Sequence, residues 1–346
     1  MSLHTAFERH ALPLEFPFTI ARGTTTEAEV VTVRVEDDDG TVGVGGAAPS
    51  SHYGETVDTV TAVLPDLLAV VEDVGDPHQL DLIERRMRET VRRNPAARCA
   101  VSIALHDLVA KRLDLPLYRY WGLDPAETLE TSYTIGLDDT ETMREKTETA
   151  LDRGFTTLKV KLGTDRDVEI VETIRSVAPD VRLFVDANEA WTPREAVGKI
   201  DRLAEYDLAF VEQPVPAEDP EGLRYVYERS SAPIAADESC ETLHDVPQIA
   251  DRCDIANLKL MKCGGLREAK RMIHAARAHG LEVMCGCMTE SNASIAAACH
   301  LAPLLDYADL DGSLLLAEDP YDGVPISDGE IDLAGLDRAG TGAVLE

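Results

Sequence analysis

LFVDANEAWTPREAVGKIDRLAEYDLAFVE, residues 183–212, reads as one complete strand–helix–strand unit. Leu183-Phe184-Val185 is a short apolar run that stops at Asp186, residues 193–205 carry helical apolar spacing, and Ala209-Phe210-Val211 is a second run that stops at Glu212. Short apolar runs alternating with helix-period stretches mark buried parallel strands joined by crossover helices. The pattern recurs on both sides, with strands predicted at 132–135, 157–161, 183–186, 209–212, 234–237, 255–259, 282–285 and 307–311. A further helical stretch, 266–278, is followed by Gly280 as a cap. Eight strands alternating with seven helices imply an α/β fold whose parallel sheet closes into a barrel, a doubly wound open sheet being the alternative. Before this repeat, 29–36 alternates toward β structure, Asp37-Asp38-Asp39-Gly40 makes a turn and 41–45 returns as a second strand. Residues 55–115 are helical in spacing and interrupted at Pro65, Pro77 and Pro95. The chain thus divides into an α+β unit (1–125), the barrel (126–311) and an Asp- and Gly-rich segment (312–346) expected to return to the first unit.

Ionisable residues fall at fixed places in the repeat. Lys161, Asp186, Glu212, Asp237 and Lys259 each end an apolar run, at successive spacings of 25, 26, 25 and 22 residues. That is the length of one strand–helix unit, so all five should rim the C-terminal mouth of the barrel, where active sites of this fold lie. Three carboxylates side by side repel and need a cation. Oxygen donors without Cys or His select Mg²⁺, or Mn²⁺, over zinc. Lys159 and Lys161, two apart on one strand, face the same interior side, and Lys259 lies beyond the carboxylates. Two amines flanking a metal could hold a substrate carbon between them. A lysine acts as a base only with its pKa lowered, which a neighbouring lysine and a divalent ion would both do.

As a set, Lys159-Val-Lys161, Asp186-Ala-Asn188, Glu212-Gln-Pro214, Asp237-Glu-Ser239 and Asn257-Leu-Lys259 followed by Gly264-Gly265 resemble the enolase superfamily in its muconate lactonizing enzyme subgroup. The resemblance spans nearly the whole chain. It implies a (β/α)7β modified TIM barrel with an N-terminal α+β capping domain. It also implies Mg²⁺ on Asp186, Glu212 and Asp237, and removal of a proton α to a carboxylate, a reaction for which such sites use a Lys or His base. Asp309-Leu310-Asp311 looks like the Asp-x-Asp motif with which dipeptide epimerases grip the substrate ammonium. Arg22, in Ile20-Ala-Arg22-Gly23-Thr24, matches the arginine that in Ala-Glu epimerases pairs with the acidic second residue. The resemblance therefore implies a two-base isomerase acting on dipeptides: one of Lys161 and Lys259 takes the proton, the other returns one to the opposite face, and Lys159 supports the enediolate. A cycloisomerase or o-succinylbenzoate synthase of the same superfamily, and a non-catalytic metal-binding protein, are the competing readings.

Gly43-Val-Gly45-Gly46-Ala47-Ala48 fits a loose dinucleotide pattern, but Pro49 follows and no helix opens there. It is read as a glycine-rich strand end beside a mobile loop, 50–54, covering the site. His106-Asp107 are read as helix residues, since no nucleophile motif accompanies them. Lys262, Met288 and Glu290 are expected to line the pocket, with Cys285-Gly286-Cys287 leaving room for a small substrate residue. Sixty-four acidic against 33 basic residues leave a net charge of −31, a surface that repels nucleic acid and anionic membranes. Acids spread along the whole chain suit solvation in a salt-rich, halophilic cytoplasm. Seven cysteines without a Cys-x-x-Cys imply free thiols. The longest apolar run, 293–305, is too short to span a membrane and the N-terminus lacks a signal-peptide layout, so a cytoplasmic protein is expected. Its expected partners are a dipeptide and further copies of itself in a homo-oligomer.

Overall fold

The computed structural model describes residues 2–346. The N-terminal unit is an antiparallel sheet of β1 (Leu3–Ile20), β2 (Gly23–Asp37) and β3 (Val42–Ala47), in that order, followed by α1 (Val57–Val74), α2 (Leu80–Thr90) and α3 (Pro95–Arg112). The β2–β3 hairpin is the one expected, but β1 is a third and longer strand that the alternation of 29–45 gave no hint of. It holds Pro13 and Pro17, tolerated because β1 lies at the sheet edge and its register shifts between Pro13 and Phe18. Pro65 does not interrupt a helix either. It sits inside α1, which runs through it because Val57, Val60, Leu64, Leu67, Leu68 and Val71 form one continuous buried face. Pro95 opens α3 at its first position, where a missing N–H costs nothing. A Cβ on Gly43 or Gly45 would strike the carbonyl oxygen of Ala104 or Ala100, so these glycines let α3 lie against β3 at backbone contact. The glycine pattern serves packing.

The second sheet runs β11-β10-β9-β8-β7-β6-β5-β4, every neighbouring pair parallel. Its strands are β4 (Tyr133–Ile135), β5 (Thr157–Lys161), β6 (Arg182–Asp186), β7 (Leu208–Glu212), β8 (Ile234–Ala236), β9 (Ile255–Lys259), β10 (Glu282–Gly286) and β11 (Tyr307–Asp309). A parallel bridge between Thr131 and Ala308, with Ser132 N donating to Ala308 O at 3.0 Å, joins the two ends into a barrel. Each connection contains helix, though between β8 and β9 only Val246–Ile249. The fold is therefore the closed α/β barrel with a separate antiparallel N-terminal sheet, and the doubly wound alternative falls.

The pleat stacks the interior in two layers. Phe184, Phe210, Ala235, Ile255 and Met284 pack as one buried cluster with Tyr307 against it, and Phe184 and Phe210 stack at 4.3 Å. Two residues further along β6 and β7, and two beyond Ala235, stand Asp186, Glu212 and Asp237. An apolar floor thus carries a charged mouth.

The last segment returns to the first unit. Asp107 on α3 accepts from Thr341 N (2.7 Å) and Thr341 Oγ1 (3.1 Å), and Leu117 N donates to Gly340 O (2.7 Å). His300 accepts from Tyr118 N at 3.0 Å through Nδ1 and donates to Thr341 O at 3.0 Å through Nε2. No helix among the described residues is long and apolar enough to cross a membrane.

Candidate active site

Two of the strands end earlier than the sequence reading placed them. β8 stops at Ala236 and β11 at Asp309, leaving Asp237 and Asp311 just past the ladder. The amide of Asp237 turns instead to Gln213 Oε1 (2.9 Å), which also takes Ser239 N (3.1 Å). Gln213 holds this turn from a left-handed backbone, φ 34°.

Asp186, Glu212 and Asp237 are fully buried, and one carboxylate oxygen of each lies within 4.8 Å of the other two. Glu212 Oε1 accepts from Asn257 Nδ2 at 2.8 Å, while Glu212 Oε2 faces the Lys159 ammonium at 2.9 Å. Three converging, fully buried oxygen donors fit a hard divalent cation, and these three residues could hold it.

Four lysines compensate the acids. Lys161 Nζ lies 2.7 Å from Asp186 Oδ2, and Lys259 Nζ 2.7 Å from Asp237 Oδ2. Lys159 reaches Asp309 (2.8 Å), Glu212 (2.9 Å) and Asp186 (3.1 Å). β5 and β9 are four strands apart in an eight-stranded barrel, so Lys161 and Lys259 stand on opposite sides of the acids. Lys262, expected in the pocket, is fully buried beneath it, with its ammonium on Asp237 Oδ1 (2.5 Å), Asp237 O (2.6 Å) and Asn257 O (3.0 Å).

Burial pushes Lys159 down, but Asp309, Glu212 and Asp186 outweigh it and hold its pKa well above the ordinary value. Burial likewise opposes, and Asp237 reverses, the shift of Lys259, which is also raised. The lowering expected from the sequence thus requires the cation's charge, because the acids alone act in the opposite sense. Burial and Asp186 lift Glu212 to about 8, and burial and Asp309 lift Asp311 to about 7.

Above this layer opens a cleft of about 640 Å³, a size suited to a small molecule. Lys159, Lys161, Lys259, Asp309, Asp311 and Met288 line it from the barrel, and Arg22 and the 50–53 segment from the capping unit. Glu290 is not among its walls. Its carboxylate is buried on Met288 N (2.8 Å) and Ser294 Oγ (2.6 Å), supporting the loop that presents Met288. Gly286 makes room inside the protein: a Cβ there would lie 2.9 Å from Asn257 Oδ1 and 3.0 Å from Lys259 Cε. The space read as substrate room is needed by the lysine.

Asp309 accepts from Ser132 Oγ (2.7 Å) and Lys159, and Asp311 from Thr134 N (2.6 Å). Arg22 belongs to the two-residue turn closing the β1–β2 hairpin rather than to a loose loop, since Ile20 and Gly23 still pair. Its guanidinium reaches Glu238 Oε1 (2.8 Å), Glu189 Oε2 (3.1 Å) and Asn188 O (3.1 Å). The 50–54 loop forms a 3-10 turn, Ser51–Tyr53, capped by Ser50.

Sequence reasoning did not single out Glu189, Glu238, His52, Ser132 or Thr134. None ends a strand at the repeat spacing, and each joins the site through a contact from another element.

Comparison with known proteins agrees over the whole length. Residues 3–122 match the family described as mandelate racemase / muconate lactonizing enzyme, N-terminal domain, and residues 142–346 that described as enolase C-terminal domain-like. The chain is 41% identical over 335 residues to the L-Ala-D/L-Glu epimerase of Bacteroides thetaiotaomicron, covering 96% of this chain and 86% of that one. Among solved structures it is similar to a dipeptide epimerase of Enterococcus faecalis complexed with Mg and L-Leu-L-Tyr, with TM-score 0.91, 35% identity and 99% of each chain covered. It is also similar to the substrate-liganded L-Ala-D/L-Glu epimerase of Bacillus subtilis, with TM-score 0.93, 34% identity and coverage of 99% and 98%.

Proposed function

We infer that this chain, which belongs to the mandelate racemase / muconate lactonizing enzyme family of the enolase superfamily, is a Mg²⁺-dependent dipeptide epimerase. The observation that carries the chemistry is the placement of two lysines on opposite sides of three buried carboxylates, each ammonium within 2.7 Å of an outer acid.

Asp186, Glu212 and Asp237 would hold the ion, which when bound would supply positive charge to the substrate carboxylate as its second negative charge develops. One lysine, Lys161 or Lys259 according to the configuration offered, takes the proton from the α-carbon. The C–H bond breaks, an N–H bond forms, and the electron pair passes into the enediolate. The opposite lysine gives a proton to the other face, inverting the centre. Lys159 stays charged beside the acids and adds its field to the same oxygens. Asp309 and Asp311 receive the substrate's free ammonium, which a purely anionic cycloisomerase substrate lacks.

The finer assignment is an Ala-Glu type substrate. It is supported by Arg22 at the cleft, whose Nε–H makes no hydrogen bond among the described residues and remains for an acidic side chain. Location in the cytoplasm is supported by seven free cysteines, six of them buried. A homo-oligomer is the remaining proposal, to be tested by light scattering.

The deciding experiment follows deuterium from D₂O into a dipeptide library with Mg²⁺ present. Wild-type protein should invert and label the C-terminal residue, fastest with L-Ala-L-Glu. Lys161→Ala and Lys259→Ala should each abolish inversion, with one variant still exchanging a single isomer. Full epimerase turnover in either would refute the two-base assignment. Asp309→Asn with Asp311→Asn should cripple dipeptide turnover but barely disturb a reaction on a purely anionic substrate, and no label in any dipeptide would favour the cycloisomerase, synthase or non-catalytic readings.

A further inference from the structure

The turn after β6 carries two consecutive non-glycine residues in the left-handed region, Asn188 (φ 43°) and Glu189 (φ 68°). Such a conformation is costly for L side chains and persists where surrounding contacts over-determine it. The contacts here are specific. Glu189 N donates to Gln213 O (2.9 Å), and Glu189 Oε1 accepts from Ala217 N (2.8 Å), so both backbone and side chain are pinned to the loop that follows β7.

The other oxygen, Oε2, is directed at the capping unit. It lies 3.1 Å from Arg22 Nη1 and 3.2 Å from His52 Nε2. These partners come from separate segments, the tip of the β1–β2 hairpin and the Ser51–Tyr53 turn, and both segments wall the cleft. Only 11% of the Glu189 side chain is exposed, so the carboxylate is largely shielded from solvent, while Arg22 and His52 remain partly open to it. The two segments are not held equally. Arg22 has two further acceptors, Glu238 and Asn188 O, whereas the 51–53 turn is otherwise tied through Glu55, whose carboxylate accepts from Ala96 N (3.2 and 3.3 Å).

We propose that Glu189 is a positioning residue for the capping unit: one carboxylate oxygen on the barrel ties the hairpin tip and the 51–53 turn down together, fixing the cleft's closed form and the aim of Arg22. It touches no reacting atom. Its effect reaches catalysis through the order of two walls, and only its kinetic consequence rests on the dipeptide reading.

The test compares the full-length Mg²⁺-loaded protein with Glu189→Gln, which keeps the size and the acceptor for Ala217 N but removes the charge. Hydrogen–deuterium exchange of segments 18–25 and 50–56, without substrate, should accelerate in both. Losing one charge-assisted bond predicts about three- to tenfold at 50–56 and less at 18–25, where Glu238 still holds Arg22. With dipeptide, KM should rise about three- to tenfold while kcat stays within about twofold, a split that a general loss of folded enzyme would not produce. His52→Ala should loosen 50–56 alone. Wild-type exchange in either segment of Glu189→Gln overturns the shared tie. Should Glu189→Gln fail to fold, Arg22→Ala and His52→Ala decide the matter: each should loosen only its own segment, and loosening of the opposite one would show direct coupling without Glu189. Because exchange is read without substrate, it stands even if the substrate assignment falls.

Discussion

Asp107 and Glu212 are both buried carboxylates facing a lysine, and they are built in opposite ways. Asp107 spends every acceptor on its own chain: Oδ1 takes Thr341 N and Oγ1, and Oδ2 takes Val44 N (2.8 Å) and Lys111 Nζ (2.6 Å). Glu212 takes one hydrogen bond, from Asn257, and its Oε2 has only the Lys159 ammonium, 2.9 Å away and shared with Asp309 and Asp186. The imbalance extends around it, for Asn188 Oδ1, Glu238 Oε2 and Asn257 Oδ1 are buried acceptors without a donor. A buried acid that serves stability is saturated, whereas one that serves a ligand retains unfilled acceptor capacity. The Asp107 knot joins three distant parts of the chain. The Glu212 cluster is held by its floor and its lysines and stays open to chemistry.

The largest effect that would break this contrast is on turnover. Glu212→Gln keeps the volume and the oxygen that faces Asn257, but removes the ionisable oxygen from the acid whose strand lies between those leading to Asp186 and Asp237. Mg²⁺ binding by calorimetry should vanish and epimerisation fall by about 10³-fold or more, while the thermal midpoint in EDTA moves little. A large drop in that midpoint would make Glu212 a structural acid like Asp107.

Asp107→Ala should show the reverse. It strands the buried amides of Val44 and Thr341 and the Lys111 ammonium, so denaturant unfolding should report a loss of about 3 kcal/mol. Mg²⁺ affinity of the protein that remains folded should be unchanged. A near-neutral ΔΔG with weakened Mg²⁺ binding would blur the distinction.

The smallest effect is a pH dependence at the same knot. Burial lowers His300 to about 4 and His106 to about 4, so in the folded protein both rings stay neutral far below the ordinary histidine value. The unfolded chain takes up these protons first. The stability they contribute is therefore complete above pH ~6.5 and lost as pH falls toward about 4. Histidine NMR should find His300 unprotonated at pH 5.5, its Nδ1 still accepting from Tyr118 N. Titration near 6.5 would mean that the knot is not buried as described.

The legibility of the two regions differs for the same reason that their chemistry does. Lys161, Asp186, Glu212, Asp237 and Lys259 could be placed from sequence because a strand–helix unit of near-constant length sets each at an equivalent strand end, and the pleat sets which face it shows. Lys262 could not. It lies in the short helix Leu260–Cys263 after β9, off the strand period, and only the folded backbone puts its ammonium under Asp237. β1 was hidden because Pro13 and Pro17 break the pattern at an edge, where the sheet tolerates them.

Taken alone, then, the amino-acid order determined the barrel, its charged rim and the chemistry of three acids between two amines, since all of these follow from period and spacing within local units. The docked chain decided the rest. Arg22 meets Glu189 across 167 residues and Asp107 meets Thr341 across 234. Contacts at such separations arise when preformed units close on one another, and no repeat in the sequence encodes which side chains will then face each other.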